Sequence, residues 1–115
     1  MNMINMKKHM YLDFLVVALF LAAPLILGFE GIAQTISFAL AVIHATVTAL
    51  TFVPGISLIS GKVHGTIELL VGPLLIALPW VVGFSSHLPA TIFFTVMGLT
   101  TLLAWGLTDY KQAHV

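Results

Sequence analysis

Hydrophobic residues along this chain collect in four long runs, and the stretches between them hold most of its charged residues together with glycine, proline and serine. None of the runs alternates with the period of two expected of a half-buried strand. Each is about twenty residues long, enough at 1.5 Å per helical residue to cross a hydrocarbon layer of roughly 30 Å. The pattern predicts membrane-spanning helices over residues 11–28, 32–53, 66–83 and 88–107. Glu30-Gly31 supplies the first turn, and Pro54-Gly55 stops the second span by removing a donor and permitting a positive φ. A connector over 56–63 carries Lys62, and Pro89 suits the first turn of the last helix. Residues 108–111 are expected to return to water.

The pattern is written twice. Residues 7–29, KKHMYLDFLVVALFLAAPLILGF, recur as residues 62–84, KVHGTIELLVGPLLIALPWVVGF, at an offset of fifty-five positions. At that offset Lys7 aligns with Lys62, His9 with His64, Asp13 with Glu68, Pro24 with Pro79, and Gly28-Phe29 with Gly83-Phe84. Chance similarity between apolar segments falls on Leu and Val, not on Lys, His and acids. The expected fold is therefore all-α: a single membrane domain over residues 1–115, a four-transmembrane-helix bundle built from two parallel tandem repeats of a helical hairpin, about 7–55 and 62–110. The lysines before a run ending in Leu21-Ala22-Ala23 also fit a signal peptide. The second copy argues against that, because it places the same segment in mid-chain.

Composition agrees. Of 115 residues, 60% are hydrophobic and 7% charged, with a mean hydropathy of +1.13. Soluble domains carry about a quarter charged residues, so the expected solvent is lipid. With four lysines, no arginine and zero net charge, the chain has no basic surface for a phosphate backbone, which excludes nucleic acid as a partner. It has no cysteine, and so neither disulfides nor thiolate sites. In a four-span serpentine, Lys7, Lys8, Lys62 and Lys111 fall on one side, and the opposite turns hold Glu30 and His87. The positive-inside rule puts both termini in the cytoplasm.

With Leu78-Pro79-Trp80 followed by Gly83-Phe84, and Lys-x-His-type helix starts at Lys7 to Asp13 and Lys62 to Glu68, residues 7–110 resemble the SPW-repeat family of small bacterial membrane proteins. The resemblance implies a four-helix protein of the bacterial inner (cytoplasmic) membrane and carries over no activity. Here the name-giving Ser-Pro-Trp triplet reads Ala23-Pro24-Leu25 in the first copy and Leu78-Pro79-Trp80 in the second.

Two groups of residues could carry chemistry. His9 and Asp13 stand four apart, as do His64 and Glu68, so each pair shares a helix face, and the repeat places both pairs at one depth. Two imidazoles and two carboxylates suit zinc or another divalent ion, or a proton relay. The preferred reading is structural: an acid in the first helical turn complements the positive helix end, and a shallow histidine anchors it at the headgroups. His44 falls near the middle of the second span, with Thr48 and Thr51 one and two turns on. It is expected to hydrogen-bond across to another helix, with lining a small polar cavity or ligating a cofactor as the alternatives.

Other features read structurally. Pro24 and Pro79 free the carbonyls of Phe20 and Leu75, kinks that a neighbouring helix would close, and Pro73 adds a further break. Phe29, Phe84 and Trp80 read as interfacial aromatics. Ser37, Ala41, Ala45 and Ala49 make a small face for helix contact, within the chain or between subunits, and Gly98, Thr101, Ala104 and Gly106 a less regular one. No catalytic motif is present, so an enzyme is the least supported class. The expected function is a structural or interaction module, self-associating or accessory to a membrane complex. The alternative is ion, proton or cofactor binding or transport through His9, Asp13, His64 and Glu68, or through His44; no cofactor is specified.

Overall fold

The computed structural model describes residues 3–110. Lys111, one of the four lysines in the orientation argument, lies outside them. The described chain is all-helical, with α1 over Met6–Leu27, α2 over Gly31–Phe52, α3 over Gly61–Leu78, a π-helical turn over Pro79–Gly83, and α4 over Leu88–Leu107. No strand occurs among the described residues, only an isolated bridge between Ile4 and Thr108. All four helical segments are long and apolar enough to cross a membrane.

Two helices start five residues earlier than the hydrophobic pattern predicts, and capping is the reason. The Asn5 side chain accepts a hydrogen bond from the Lys8 amide at 2.8 Å, and the Ser60 hydroxyl accepts one from the Val63 amide at 3.2 Å. Each satisfies an amide that the first turn would leave unpaired. Lys7, Lys8 and Lys62 thereby enter first helical turns instead of lying outside them. Asp13 and Glu68 move to the third turn, too deep to complement the helix end, and neither first turn contains an acid. At the far end Gly28 takes φ 74° and Gly83 φ 101°. These left-handed turns, open to glycine at little cost, swing Phe29 and Phe84 back into the protein.

The two phenylalanines are therefore core residues, not interfacial ones: Phe29 is 1% and Phe84 6% exposed. Together with Phe20, Phe93 and Phe94 they form an edge-packed cluster, with Phe84 and Phe94 centroids 5.2 Å apart and Phe20 and Phe93 5.3 Å apart. The cluster fills the end of the bundle near His87, whose ring stands edge-on to Phe29. Trp80 is exposed on the outside.

Helix pairing is tightest within each hairpin, α1 on α2 and α3 on α4, whereas α2 and α3 touch little. The first pair uses the first half of the predicted small face, Ser37 and Ala41, together with Ala33, while Ala45 and Ala49 are only half-buried. Ala33, Ser37 and Ala41 are buried, and the Ser37 hydroxyl donates to the Phe20 carbonyl at 2.7 Å. That carbonyl is the one Pro24 frees, so the neighbouring helix closes the kink as expected. Ser37→Ala is expected to leave it unpaired and to lower stability by about 1 kcal/mol in detergent, measurable as an earlier thermal transition. Pro73 does not break α3, which continues to Leu78.

One end of the bundle positions the site. The Ile4 amide donates to Leu107 O at 2.9 Å and the Asp109 amide to Ile4 O at 3.0 Å, tying the start of the described chain to its end. The Ile59 amide donates to Leu50 O at 3.1 Å, holding the connector against α2. The starts of α1 and α3 and the ends of α2 and α4 thus meet.

Candidate metal centre

Four side chains converge at that end. His9 and Asp13 project from α1, His64 and Glu68 from α3, and all four are buried, with both histidines 0% exposed. One donor atom from each lies within 4.8 Å of every other. His9 Nε2 is 2.6 Å from Glu68 Oε1 and 3.2 Å from Asp13 Oδ1. His64 Nε2 is 2.9 Å from the same Glu68 oxygen and 3.0 Å from Asp13 Oδ2. The side chains therefore aim into the bundle, not toward headgroups as the sequence suggested. Helix spacing explains this, since positions four apart share one face and on both helices that face is turned inward.

The far sides of the two imidazoles are fixed by hydroxyls. His9 Nδ1 lies 2.8 Å from Thr108 Oγ1, and His64 Nδ1 2.8 Å from Thr51 Oγ1. Each hydroxyl has one proton, and each already donates it to its own helix, Thr108 to Ala104 O at 2.5 Å and Thr51 to Val47 O at 2.8 Å. Both hydroxyls can only accept from the rings, so the hydrogen-bond network assigns the proton of each ring to Nδ1. Each Nε2 faces carboxylate oxygens at hydrogen-bonding distance, and a ring protonated at Nδ1 alone would set its Nε2 lone pair against them. Acceptor facing acceptor is untenable in a buried site, and the arrangement demands positive charge between them.

Tyr110 completes the wall. Its phenol donates to Glu68 Oε2 at 2.5 Å, and its ring packs on Gly65, where an added Cβ would lie 3.0 Å from Tyr110 Cδ2. Burial first, then the Glu68 charge, raise the phenol's pKa above its ordinary value, so it keeps the proton it donates. Residues 108–110 thus close over the cluster instead of returning to water. Neither Tyr110 nor Thr108 was legible as a site residue, because nothing in a short tail beyond the last apolar run signals that it folds back.

His44 also reaches the cluster, from α2. Its Nε2 stands 3.3 Å from Asp13 Oδ1, near enough for an ion contact, yet it lacks an aligned hydrogen bond. Asp13 Oδ2 is in the same condition: His64 is close, but its direction is wrong for a bond. The interhelical hydrogen bond expected of His44 is not formed; its approach to Asp13 is an ion-range contact, which joins it to the site that the sequence treated separately. The repeat could not reveal this, because the position equivalent to His44 is Leu99.

No family model, curated protein or solved structure matches the chain. The chemistry of the donor set therefore carries the functional argument. Two imidazole nitrogens and two carboxylates, each imidazole oriented by a hydrogen bond at its other nitrogen, form the arrangement typical of first-row divalent metal sites. Donors at 2.0–2.2 Å from a tetrahedral ion stand about 3.4 Å apart by that geometry. The nitrogen-to-oxygen separations of 2.6 to 3.2 Å lie a little inside that spacing, so modest outward movement of the four groups admits an ion.

Proposed function

We propose that this protein is a multi-pass membrane protein that holds one divalent transition-metal ion, of the zinc or iron class, between His9, Asp13, His64 and Glu68. The observation that carries the proposal is the pair of buried Nε2 atoms facing two carboxylates, with both Nδ1 atoms committed to threonines. Two positive charges are needed there. A divalent ion supplies both, and it also gives Asp13 Oδ2, buried and without a hydrogen bond, a partner.

The membrane reading rests on the four apolar helices and on large side chains turned outward with nothing to cover them, such as Leu25, Ile26 and Val81. In this reading the chain consists of two parallel tandem hairpins in the bacterial inner membrane with both termini cytoplasmic. Lys7, Lys8 and Lys62 at the site end support that orientation, and the cluster lies two turns inside it. The SPW-repeat resemblance fits this architecture and assigns no activity. A partner for the exposed faces, whether a second copy or another membrane protein, belongs to the same proposal.

A second reading is favoured by the short nitrogen-to-oxygen contacts. With both imidazoles doubly protonated, the four groups form a charge-neutral clasp joining α1 to α3, and the protein is a structural or interaction module. Metal analysis separates the two. Protein solubilised in mild detergent is expected to carry close to one equivalent of metal by native mass spectrometry, and to lose it with His9→Ala plus His64→Ala. Metal-free protein that cannot be loaded with Zn(II), Fe(II) or Co(II) would establish the clasp. The threonines offer a finer test. Thr51→Val and Thr108→Val each remove the acceptor that orients an imidazole, and each is expected to weaken metal affinity about 10- to 100-fold, read by competition with a chromophoric chelator.

A further inference from the structure

Beside the cluster, toward the middle of the bundle, lies a cavity of about 40 Å³. His44, His64 and Glu68 form its polar end, and side chains including Val16, Phe20, Ile43 and Val71 form the rest. The other sides of the cluster are taken. Thr51 and Thr108 stand behind the two imidazoles, and Tyr110 covers the second Glu68 oxygen. The cavity is thus the direction from which a further ligand can approach an ion held by the four side chains.

Three physical properties narrow what that ligand is. A single water needs roughly 10–15 Å³ of such space, so the cavity takes a molecule of two or three heavy atoms and excludes rings and chains. The lining is apolar, and such cavities favour molecules that prefer hydrocarbon to water. Charge gives the third: a divalent ion balances Asp13 and Glu68, so a charged newcomer would lack compensation in a low-dielectric site. His44 adds one polar contact, because its Nε2 is buried at the cavity's end with no hydrogen-bond partner.

We infer that the metal centre keeps one coordination position open toward this cavity, where it takes a small uncharged diatomic molecule of the dioxygen or nitric oxide type. His44 stands where it can hydrogen-bond the bound ligand. The inference rests on the metal reading above, and it makes the centre a ligand-binding one where a closed four-coordinate site would be structural. Such molecules dissolve in the bilayer and reach the cavity from the side, past α2 and α3, which touch little.

Nitric oxide is the practical probe, because ferrous nitrosyl centres give a characteristic paramagnetic resonance signal. The full-length protein in detergent is loaded anaerobically with Fe(II), its iron content is measured, and nitric oxide is added. A nitrosyl signal matching the iron is expected. Val71→Phe, at a half-buried position that lines the cavity, is expected to keep the iron and lose most of the signal. His44→Leu is expected to keep the signal but release nitric oxide about tenfold faster, as loss of one hydrogen bond predicts. Iron-loaded wild type without a nitrosyl signal overturns the open position, and an unchanged signal in Val71→Phe overturns the cavity as its location. Failure to load Fe(II) sinks this inference even where Zn(II) binds; failure of both metals removes the metal reading as well.

Discussion

Protein carrying Asp13→Asn together with Glu68→Gln is expected to purify folded and without metal. Both substitutions keep the volume of the side chain, so packing at the junction of α1 and α3 is preserved, while both negative charges disappear. Loss of a supporting hydrogen bond around a metal ligand already costs 10- to 100-fold in affinity. Removing two ligands is therefore expected to cost well over about a thousandfold. Stability gives a sharper contrast between the readings. If an ion holds the site, stripping wild-type protein with a chelator removes the ion's contacts to four ligands on α1 and α3, and the stripped protein should melt below the metal-loaded one. If the groups form an imidazolium clasp, the chelator changes nothing, and the double variant is itself destabilised by about 3–5 kcal/mol because two buried cations lose their partners. Thermal unfolding of three samples, wild type with and without chelator and the double variant, decides between these orders.

The four helices are legible in the long apolar runs, and the last, Leu88–Leu107, begins and ends where the pattern predicts. The starts of α1 and α3 lie outside the apolar runs, because polar residues at a helix entry need not mark the water. Asn5 and Ser60 show why that fails: a side-chain oxygen that satisfies a first-turn amide draws lysines and histidines into the helix. From this one shift follows the misjudged depth of the acids. The orientation of Phe29 was hidden for another reason, since a glycine in the left-handed region reverses the chain whether the next side chain ends in lipid or in the core. Of the site, the repeat gave His9, Asp13, His64 and Glu68, as register carries polar residues along with apolar ones. It could give neither His44 nor Tyr110, which occur once and reach the cluster only through the packing of α2 and the fold-back after α4.

Gly98→Val is expected to pry α4 from α3 and to weaken the metal site from a distance. A Cβ at Gly98 would stand 2.7 Å from the Gly72 carbonyl oxygen, and one at Gly72 would stand 2.6 Å from Leu102 Cγ. Backbone cannot yield as a flexible side chain does, so the helices must separate. Where lipid tails are as apolar as the helix faces, close backbone approach is a main source of helix association. A loss of about 1–3 kcal/mol is expected, as for other overpacked interiors. The consequence reaches the site because α4 leads directly into Thr108 and Tyr110, which brace His9 and Glu68. Metal affinity should therefore fall together with the melting temperature. Gly106→Ala supplies the comparison on the same helix. Its added methyl meets no atom within 4 Å, and the change from glycine to alanine favours the helix by up to about 1 kcal/mol. Equal destabilisation by both substitutions would mean that α4 is held by something other than its approach to Gly72. Loss of stability in Gly98→Val with metal affinity intact would detach the brace from the centre.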